Sequence, residues 1–191
     1  MSTRRNELTR QAARLFAEKG YHGTSIGDLA EAMGVQKGSV YAHIESKQDL
    51  LYETLRDGAV AFHGALDLIP ETLPAVDKLR LALRALLGIV AVQLDVATVW
   101  SRVWRYLEGE RREEFVAARR RYEERIRSLF QEGVELSELR ADLDVSAAAL
   151  VFLSAANWAY TWLQQGRDTD ALADRFFALL VDGIRGYATP A

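Results

Sequence analysis

Apolar residues recur at helical spacing along nearly the whole chain, and this periodicity limits the fold more than any other feature. Near the N-terminus Leu8, Ala12, Leu15 and Phe16 fall on one face of a helix that Gly20 should end. No stretch shows the alternation of apolar and polar residues that strands require. Because hydrophobic residues make up 49% of the chain, the helices can enclose a globular core. The sequence therefore predicts an all-α protein.

Two capping signatures mark helix starts in the N-terminal part of the chain. Ser25 is followed three residues later by Asp28, and Ser46 is followed at the same distance by Asp49. At this spacing a side chain can cap the first turn of a helix. Gly34 is placed to end the helix that begins after Ser25. The pattern predicts three short helices and then a longer one that runs towards residue 66.

Two prolines, Pro70 and Pro74, interrupt the helical pattern. Beyond them the periodicity predicts longer helices, at about residues 75–94, 96–107, 110–136, 145–165 and 170–187. We expect an N-terminal domain of residues 1–60 and a C-terminal domain of residues 61–191. Residues 145–166 carry no charge, but their serine, asparagine and glutamine residues favour a buried helix over a membrane span.

The chain lacks the residue sets that several classes of protein need. It has no cysteine, its three histidines have no metal-site spacing, and no nucleophile, base and acid form a catalytic set. We therefore expect no catalytic residue, no metal and no cofactor. The N-terminus has no apolar signal-peptide core, so we expect a cytoplasmic protein that does not enter a membrane.

Residues 25–44 have the spacing of a helix-turn-helix, in which the second helix enters the major groove of DNA. Gly38 in that second helix lets the backbone approach another surface closely. The charge distribution agrees, since residues 1–47 hold seven basic and five acidic side chains against 17 and 22 in the remainder. Taken singly, a glycine, tyrosine or lysine here has an ordinary structural explanation, whereas the combined pattern indicates DNA binding. The predicted DNA contacts are Thr24, Ser25, Gln36, Lys37, Gly38, Ser39, Tyr41, His43 and Lys47.

The stretch ARLFAEKGYHGTSIGDLAEAMGVQKGSVYAHIESKQDLL resembles the DNA-binding domain of the TetR (tetracycline-repressor, AcrR-like) family of transcriptional regulators. The resemblance covers about residues 8–55, with Gln36 where the family often has the better helix caps Ser or Thr, and Ile44 where it commonly has Phe. It implies about nine helices, an N-terminal three-helix DNA-binding domain, and a C-terminal domain that binds ligand and forms a homodimer. It also implies binding to operator DNA and release by a small-molecule effector.

The last two helices are the expected dimer interface. Small residues at Ala155–Ala156 would permit close approach, and Trp158, Tyr160 and Trp162 would supply contact area. The final helix is apolar on more than one side, through residues that include Leu179 and Tyr187. A fully internal helix is the alternative explanation of that pattern.

A second, shorter resemblance concerns the effector. The stretch ANWAYTWLQQGRDTDALADRF resembles TetR-family members that respond to acyl-CoA thioesters, which implies an apolar tunnel with a basic mouth. Arginines of the helix at 110–136 are candidates for that mouth, although pairs such as Arg119–Glu123 and Arg120–Glu124 also fit a solvated charged face. The tryptophans equally fit core filling. The predicted ligand-binding residues are Trp100, Val103, Trp104, Leu107, Arg119, Tyr122, Phe152, Asn157 and Trp158.

Three functions remain open on the sequence alone. The first is a ligand-responsive repressor whose recognition helices (about residues 36–43) are displaced when an effector binds. The second keeps DNA binding but makes the protein an activator or an architectural protein. The third is an all-α enzyme or carrier, for which the sequence offers no catalytic set.

Overall fold

A computed structural model describes residues 3–163 and 168–184, and the regular structure in these ranges is helical throughout. This confirms the predicted all-α fold. Within them no single helix is both long and apolar enough to cross a membrane. The helices are α1 (Thr3–Gly23), α2 (Ile26–Ala32), α3 (Lys37–Tyr41), α4 (Lys47–Asp67), α5 (Ala75–Val92), α6 (Leu94–Thr98), a π-helical turn (Val99–Val103), a 3-10 turn (Trp104–Tyr106), α7 (Gly109–Glu135), α8 (Val145–Asn157), α9 (Ala159–Trp162) and α10 (Thr169–Ile184).

Two glycines shape the N-terminal helices. Gly20 has φ 76° and ψ 169°, so the helical path of α1 is broken where the sequence predicts its end. Gly34, with φ 63°, makes the turn between α2 and α3. Residues with a side chain rarely adopt such angles, which accounts for glycine at both positions. The turn brings α3 against α2, and the buried side chains of Leu29 and Val40 belong to the core beneath them.

The chain forms two compact units. The first contains the residues up to Val60 together with Gln93–Ala118, and the second contains Ala61–Val92 together with the described residues from Arg119 onward. In the first unit α1 packs against α2, α6 and the π-helical turn. The sequence predicts two consecutive domains, 1–60 and 61–191. It does not predict that residues 93–118 pack with the first unit.

The second unit is built around α5. This helix packs against α8, α9 and α10, and its apolar residues from Leu79 to Val90 are buried at helical spacing. Its partly exposed Arg84 also pairs with Asp174 of α10, with 2.8 Å between Nε and Oδ1. The core position of α5 therefore follows from its wide apolar face.

Two helices that the sequence predicts as continuous are interrupted. The helix predicted at 96–107 becomes α6 and then the π-helical and 3-10 turns, and the helix predicted at 145–165 ends as α8 at Asn157. Beside the second break the Thr161 hydroxyl donates to the Trp158 carbonyl at 2.7 Å. Such a side-chain bond competes with regular helical hydrogen bonding. Tyr187 and the predicted end of the last helix at 187 lie outside the described residues.

The start of α4 is held by Asp49. Its Oδ2 accepts hydrogen bonds from the backbone N–H groups of Glu45 and Ser46, each at 2.8 Å, and its Oδ1 accepts from Arg111 at 2.5 Å. Burial alone would raise the pKa of this carboxyl, but the two N–H groups and the Arg111 guanidinium together lower it. The capping role that the sequence predicts for Asp49 is confirmed, while Arg111 is an additional partner.

Replacing Asp49 by Asn should destabilise the protein at neutral pH by about 1–3 kcal/mol, because the amide is a weaker acceptor for two N–H groups and for a guanidinium. Since the native pKa is lowered, ionised Asp49 stabilises fully above the unfolded-chain pKa of about 3.9. That stabilisation is lost as the pH falls through the native pKa. Urea unfolding between pH 3 and pH 7 should therefore show the difference from wild type shrinking at acid pH.

Asp57→Asn is the matched control. Asp57 is exposed and pairs with the neighbouring Arg56 at 3.4 Å, so its loss should change stability by less than about 0.5 kcal/mol. A loss for Asp49→Asn that stayed constant from pH 7 to pH 3 would contradict the assigned role of the carboxylate.

Candidate nucleic-acid interface

Helix α3 has one buried side and one exposed polar side. Val40 is 2% exposed and faces the core, whereas Lys37, Ser39 and Tyr41 face solvent, with Tyr41 52% exposed. Gln36, at the N-cap position, is exposed and makes no side-chain capping bond. The polar side therefore combines donors, an aromatic ring and a positive charge, which are the groups that contact phosphates and base edges.

Gly38 lies within α3, and no contact among the described residues accounts for its lack of a side chain. An added Cβ at this position would meet no atom within 4 Å, and its φ is not in the left-handed region. Alanine would be the better residue for the helix by about 1 kcal/mol. The remaining physical advantage of glycine is access to the backbone from outside, as a DNA strand against α3 would require.

Ser25 forms the predicted capping box of α2. Its Oγ accepts from the Asp28 N–H at 3.0 Å, and its own N–H donates to Asp28 Oδ2 at 2.8 Å. Lys19 also pairs with Asp28, and this partner, followed by Ser25, lowers the pKa of the Asp28 carboxyl. Ser25 is exposed at the start of α2, where the backbone N–H groups of a helix favour an anion.

The Thr24 side chain points into the protein, although the sequence predicts that it contacts DNA. The side chain is 1% exposed, and its Oγ1 lies 3.0 Å from the Leu15 carbonyl and 2.9 Å from the Gly20 carbonyl. The hydroxyl thus closes the end of α1 at the Gly20 break. In this conformation it is not available to a phosphate, so we assign it a structural role.

The ammonium group of Lys47, which is predicted to contact a phosphate, is held by groups of the protein. Its Nζ donates to the Tyr21 carbonyl at 2.7 Å and to the Thr24 carbonyl at 2.8 Å, and it lies 4.2 Å from the centroid of the Tyr21 ring. Burial lowers the pKa of this ammonium group. Lys47 therefore ties the start of α4 to the junction between α1 and α2.

His43 lies just beyond α3, and its partner is a residue that the sequence analysis did not select. The ring is half-buried, and the backbone carbonyl accepts from Arg5 Nη1 at 2.9 Å. Arg5 in turn pairs with Glu53 of α4. No local sequence pattern indicates these contacts, because Arg5 is 38 residues from His43 and 48 residues from Glu53 along the chain.

Four of the predicted ligand-binding residues belong to the first unit. Trp100, Val103 and Leu107 are buried, and Trp104 is half-buried. The rings of Trp100 and Trp104 both contact Phe115, with centroids 4.8 and 5.7 Å apart. These contacts give the two tryptophans a role in the core of the first unit.

The other five belong to the second unit. Tyr122 is buried, which raises the pKa of its hydroxyl, and Phe152 meets the Phe130 ring edge-on at 5.8 Å. Asn157 is half-buried, whereas Trp158 is 63% exposed. Tyr122 and Phe152 are thus placed inside the unit, and Trp158 is placed on its surface.

The arginines of α7 mostly form ion pairs. Arg119 pairs with Glu123 at 2.9 Å, which confirms the predicted contact four residues apart. Glu124 accepts from Arg127 at 2.8 Å rather than from Arg120, so the predicted second pair is wrong. Exposed pairs of this kind compete with solvent and contribute little to stability. A charged face in contact with solvent therefore describes this part of α7.

Family models account for most of the chain. The model described as "Bacterial regulatory proteins, tetR family" matches residues 8–54, and the model described as "Tetracyclin repressor-like, C-terminal domain" matches residues 72–184. The chain therefore belongs to the TetR family of transcriptional regulators.

Individual relatives agree in sequence and in fold. The chain is 30% identical to the HTH-type transcriptional repressor KstR2 of Rhodococcus jostii, over 96% of this chain and 92% of the relative. It is 26% identical to the fatty acid metabolism regulator protein of Bacillus subtilis, over 91% of each chain. The crystal structure of AibR in complex with isovaleryl coenzyme A and operator DNA is 27% identical, with a TM-score of 0.84, covering 93% of this chain and 98% of that one.

Replacing Gly38 by Ala should separate folding from DNA binding. Alanine should raise the free energy of unfolding by up to about 1 kcal/mol, because it favours the helix and meets no neighbouring atom. It should also weaken binding to DNA by obstructing the backbone approach. Binding is measured with the selected duplex, by which we mean a duplex enriched from a random-sequence library by the wild-type protein.

Gly64→Ala provides the control, since Gly64 lies in α4, is exposed, and would also meet no atom within 4 Å. It should stabilise the protein and leave affinity for the selected duplex unchanged. Normal affinity in Gly38→Ala would show that DNA does not need the space above this glycine.

Proposed function

We propose that this protein is a ligand-responsive transcriptional repressor that binds a palindromic operator as a homodimer and is released by an acyl-CoA thioester. The observation that carries the proposal is the exposed polar side of α3, with Lys37, Ser39 and Tyr41 around a glycine that no protein contact explains. Gln36 and His43 flank this surface and are proposed to read bases or phosphates beside it.

The proposed dimer uses the exposed side of α8. Its solvent-facing residues carry no charge: they are Ser146, Ala147, Leu150, Val151 and Ser154, and the exposed Trp158 directly follows the helix. Leu150 and Trp158 are each more than 60% exposed, and Leu179 of α10 is 77% exposed. Apolar area of this kind is typical of homodimer interfaces. Ala156 is buried within its own unit, so we propose that the partner contacts this exposed side of α8 and not the Ala155–Ala156 pair.

The acyl-CoA effector is supported by two relatives of this chain. One relative is named a fatty acid metabolism regulator, and a similar solved structure contains isovaleryl coenzyme A together with operator DNA. Both share about a quarter of their residues with this chain over more than nine-tenths of its length. An acyl-CoA is therefore the first effector class to test.

The first unit supplies a route by which an effector could act on the DNA-binding helices. Three polar contacts join α4 to residues 106–114: Gln48 Nε2 donates to the Tyr106 carbonyl at 2.8 Å, Arg111 contacts Asp49, and the Tyr52 hydroxyl donates to Glu114. A ligand that favours another position of residues 106–114 would shift the start of α4, and with it the junction held by Lys47.

Tyr41→Ala should strongly weaken specific binding to the selected duplex and leave thermal unfolding nearly unchanged, because the side chain is half exposed on α3. We expect an affinity loss of at least about tenfold, the usual size for a lost base or phosphate contact. A two-fold symmetric selected sequence would support the dimer. The control is Leu136→Ala, which removes another exposed apolar side chain, just beyond the end of α7. Normal binding by Tyr41→Ala would exclude α3 as the recognition helix.

Acyl-CoA thioesters should raise the melting temperature and release the selected duplex. At a ligand concentration 100 times Kd, linkage adds about 2.7 kcal/mol to the free energy of unfolding. Isovaleryl-CoA and longer straight-chain thioesters should be compared with free coenzyme A and the free acids, by thermal melting and by fluorescence anisotropy of labelled duplex. If no thioester raises the melting temperature or releases the duplex, the proposed effector class is wrong, while the DNA-binding proposal stands.

A further inference from the structure

The recognition helix α3 is too short to hold its own conformation. It spans five residues, whereas isolated helices of fewer than about 12 residues are marginal in water. Its N-cap residue Gln36 makes no side-chain capping bond. The direction of α3 must therefore be set by the contacts that other elements make with it and with the residues at its two ends.

Arg5 of α1 makes such a contact at the C-terminal end. Its Nη1 donates to the His43 carbonyl at 2.9 Å, while Nε donates to Glu53 Oε1 at 2.8 Å and Nη2 contacts the same carboxylate. Glu53 Oε2 also accepts from the Thr9 hydroxyl at 3.0 Å. One guanidinium group thus connects three elements: α1, the residues that follow α3, and α4.

The environment makes this arrangement specific for arginine. The Glu53 side chain is only 6% exposed, so its charge requires a partner, and Arg5 with 37% exposure supplies one. The planar guanidinium can direct different N–H groups to a carboxylate and to a carbonyl at fixed angles, which a single ammonium group does not reproduce. Its positive charge is also favourable near the carbonyl groups that end a helix.

We propose that Arg5, held by Glu53, is a positioning residue for sequence-specific DNA binding, because it fixes the end of α3 through the His43 carbonyl. This inference rests on the proposed function, because the experiment that tests it measures binding to operator DNA. Base contacts depend on the exact placement of α3, whereas non-specific binding depends on the number of phosphates that are neutralised. Loss of the contact should therefore reduce discrimination between sequences more than it reduces affinity for DNA in general.

The test compares affinities for the selected duplex and for a mixed-sequence duplex of the same length, each over a range of salt concentrations. Arg5→Gln should lower the ratio of the two affinities by about tenfold, as expected for a lost hydrogen bond to a charged group. Its salt dependence on mixed-sequence DNA should match wild type. Arg10→Gln is the charge-matched control, since Arg10 is an exposed residue of the same helix and should leave the ratio unchanged.

A second variant separates positioning from stability. Arg5→Gln leaves the buried Glu53 charge without its guanidinium, whereas the double variant Arg5→Met, Glu53→Met removes both charges together. The double variant should melt close to wild type and still show the reduced ratio. Its amide exchange should be faster at residues 37–43, where α3 has lost an anchor.

Each outcome decides the proposal. A wild-type ratio in a folded double variant would overturn it, as would an Arg5→Gln effect that matched Arg10→Gln or that lowered both affinities equally. A double variant that failed to fold would assign the pair to stability and also overturn it. Failure of the wild-type protein to select any sequence would instead refute the DNA-binding function itself.

Discussion

A five-residue recognition helix can act only if its surroundings hold it, and the first unit is organised around this requirement. Val40 and Ile44 anchor one side of the segment in the core. Arg5 contacts the His43 carbonyl at its end. Lys47 joins the next helix to the carbonyls at the junction of α1 and α2. Two cations of this unit, Arg5 and Lys47, are therefore directed at backbone carbonyls of the protein, and the proposed contacts with DNA belong to the exposed side of α3.

Glycine serves two different purposes within nineteen residues of this unit. Gly20 and Gly34 have positive φ values, so the backbone itself requires glycine there. Gly38 has a helical backbone and open space above it, so the protein would accept alanine. The same residue type thus meets a folding constraint at two positions, whereas at the third only the proposed approach of DNA would require it. The distinction depends on φ and on neighbouring atoms, neither of which a sequence displays.

Features set by neighbours along the chain could be predicted, and features set by distant residues could not. The helical stripe of α1 and the capping of α2 by Ser25 involve residues within a few positions of one another. Thr24 and Lys47 have residue types that suit a phosphate, but their side chains turn to carbonyls of the protein. Residues 93–118 belong to the first unit for the same reason: they contact residues that are far from them in the sequence. The exposed polar side of α3 was accessible to prediction because a single helix contains it.

The polar contacts that link α4 with residues 106–114 are weaker than the apolar packing around them. Tyr106 and Glu114 are exposed, and polar contacts that remain in contact with water contribute about 0–1 kcal/mol each, whereas the Arg111–Asp49 pair includes a buried carboxylate. The buried side of α4, including Leu50, Leu51 and Leu55, is stabilised by considerably more per residue. An effector with a coupling free energy of about 1–3 kcal/mol could therefore break the polar contacts without opening the core. The start of α4 would then move while Arg5 keeps its contact with the His43 carbonyl, since that contact does not involve residues 106–114.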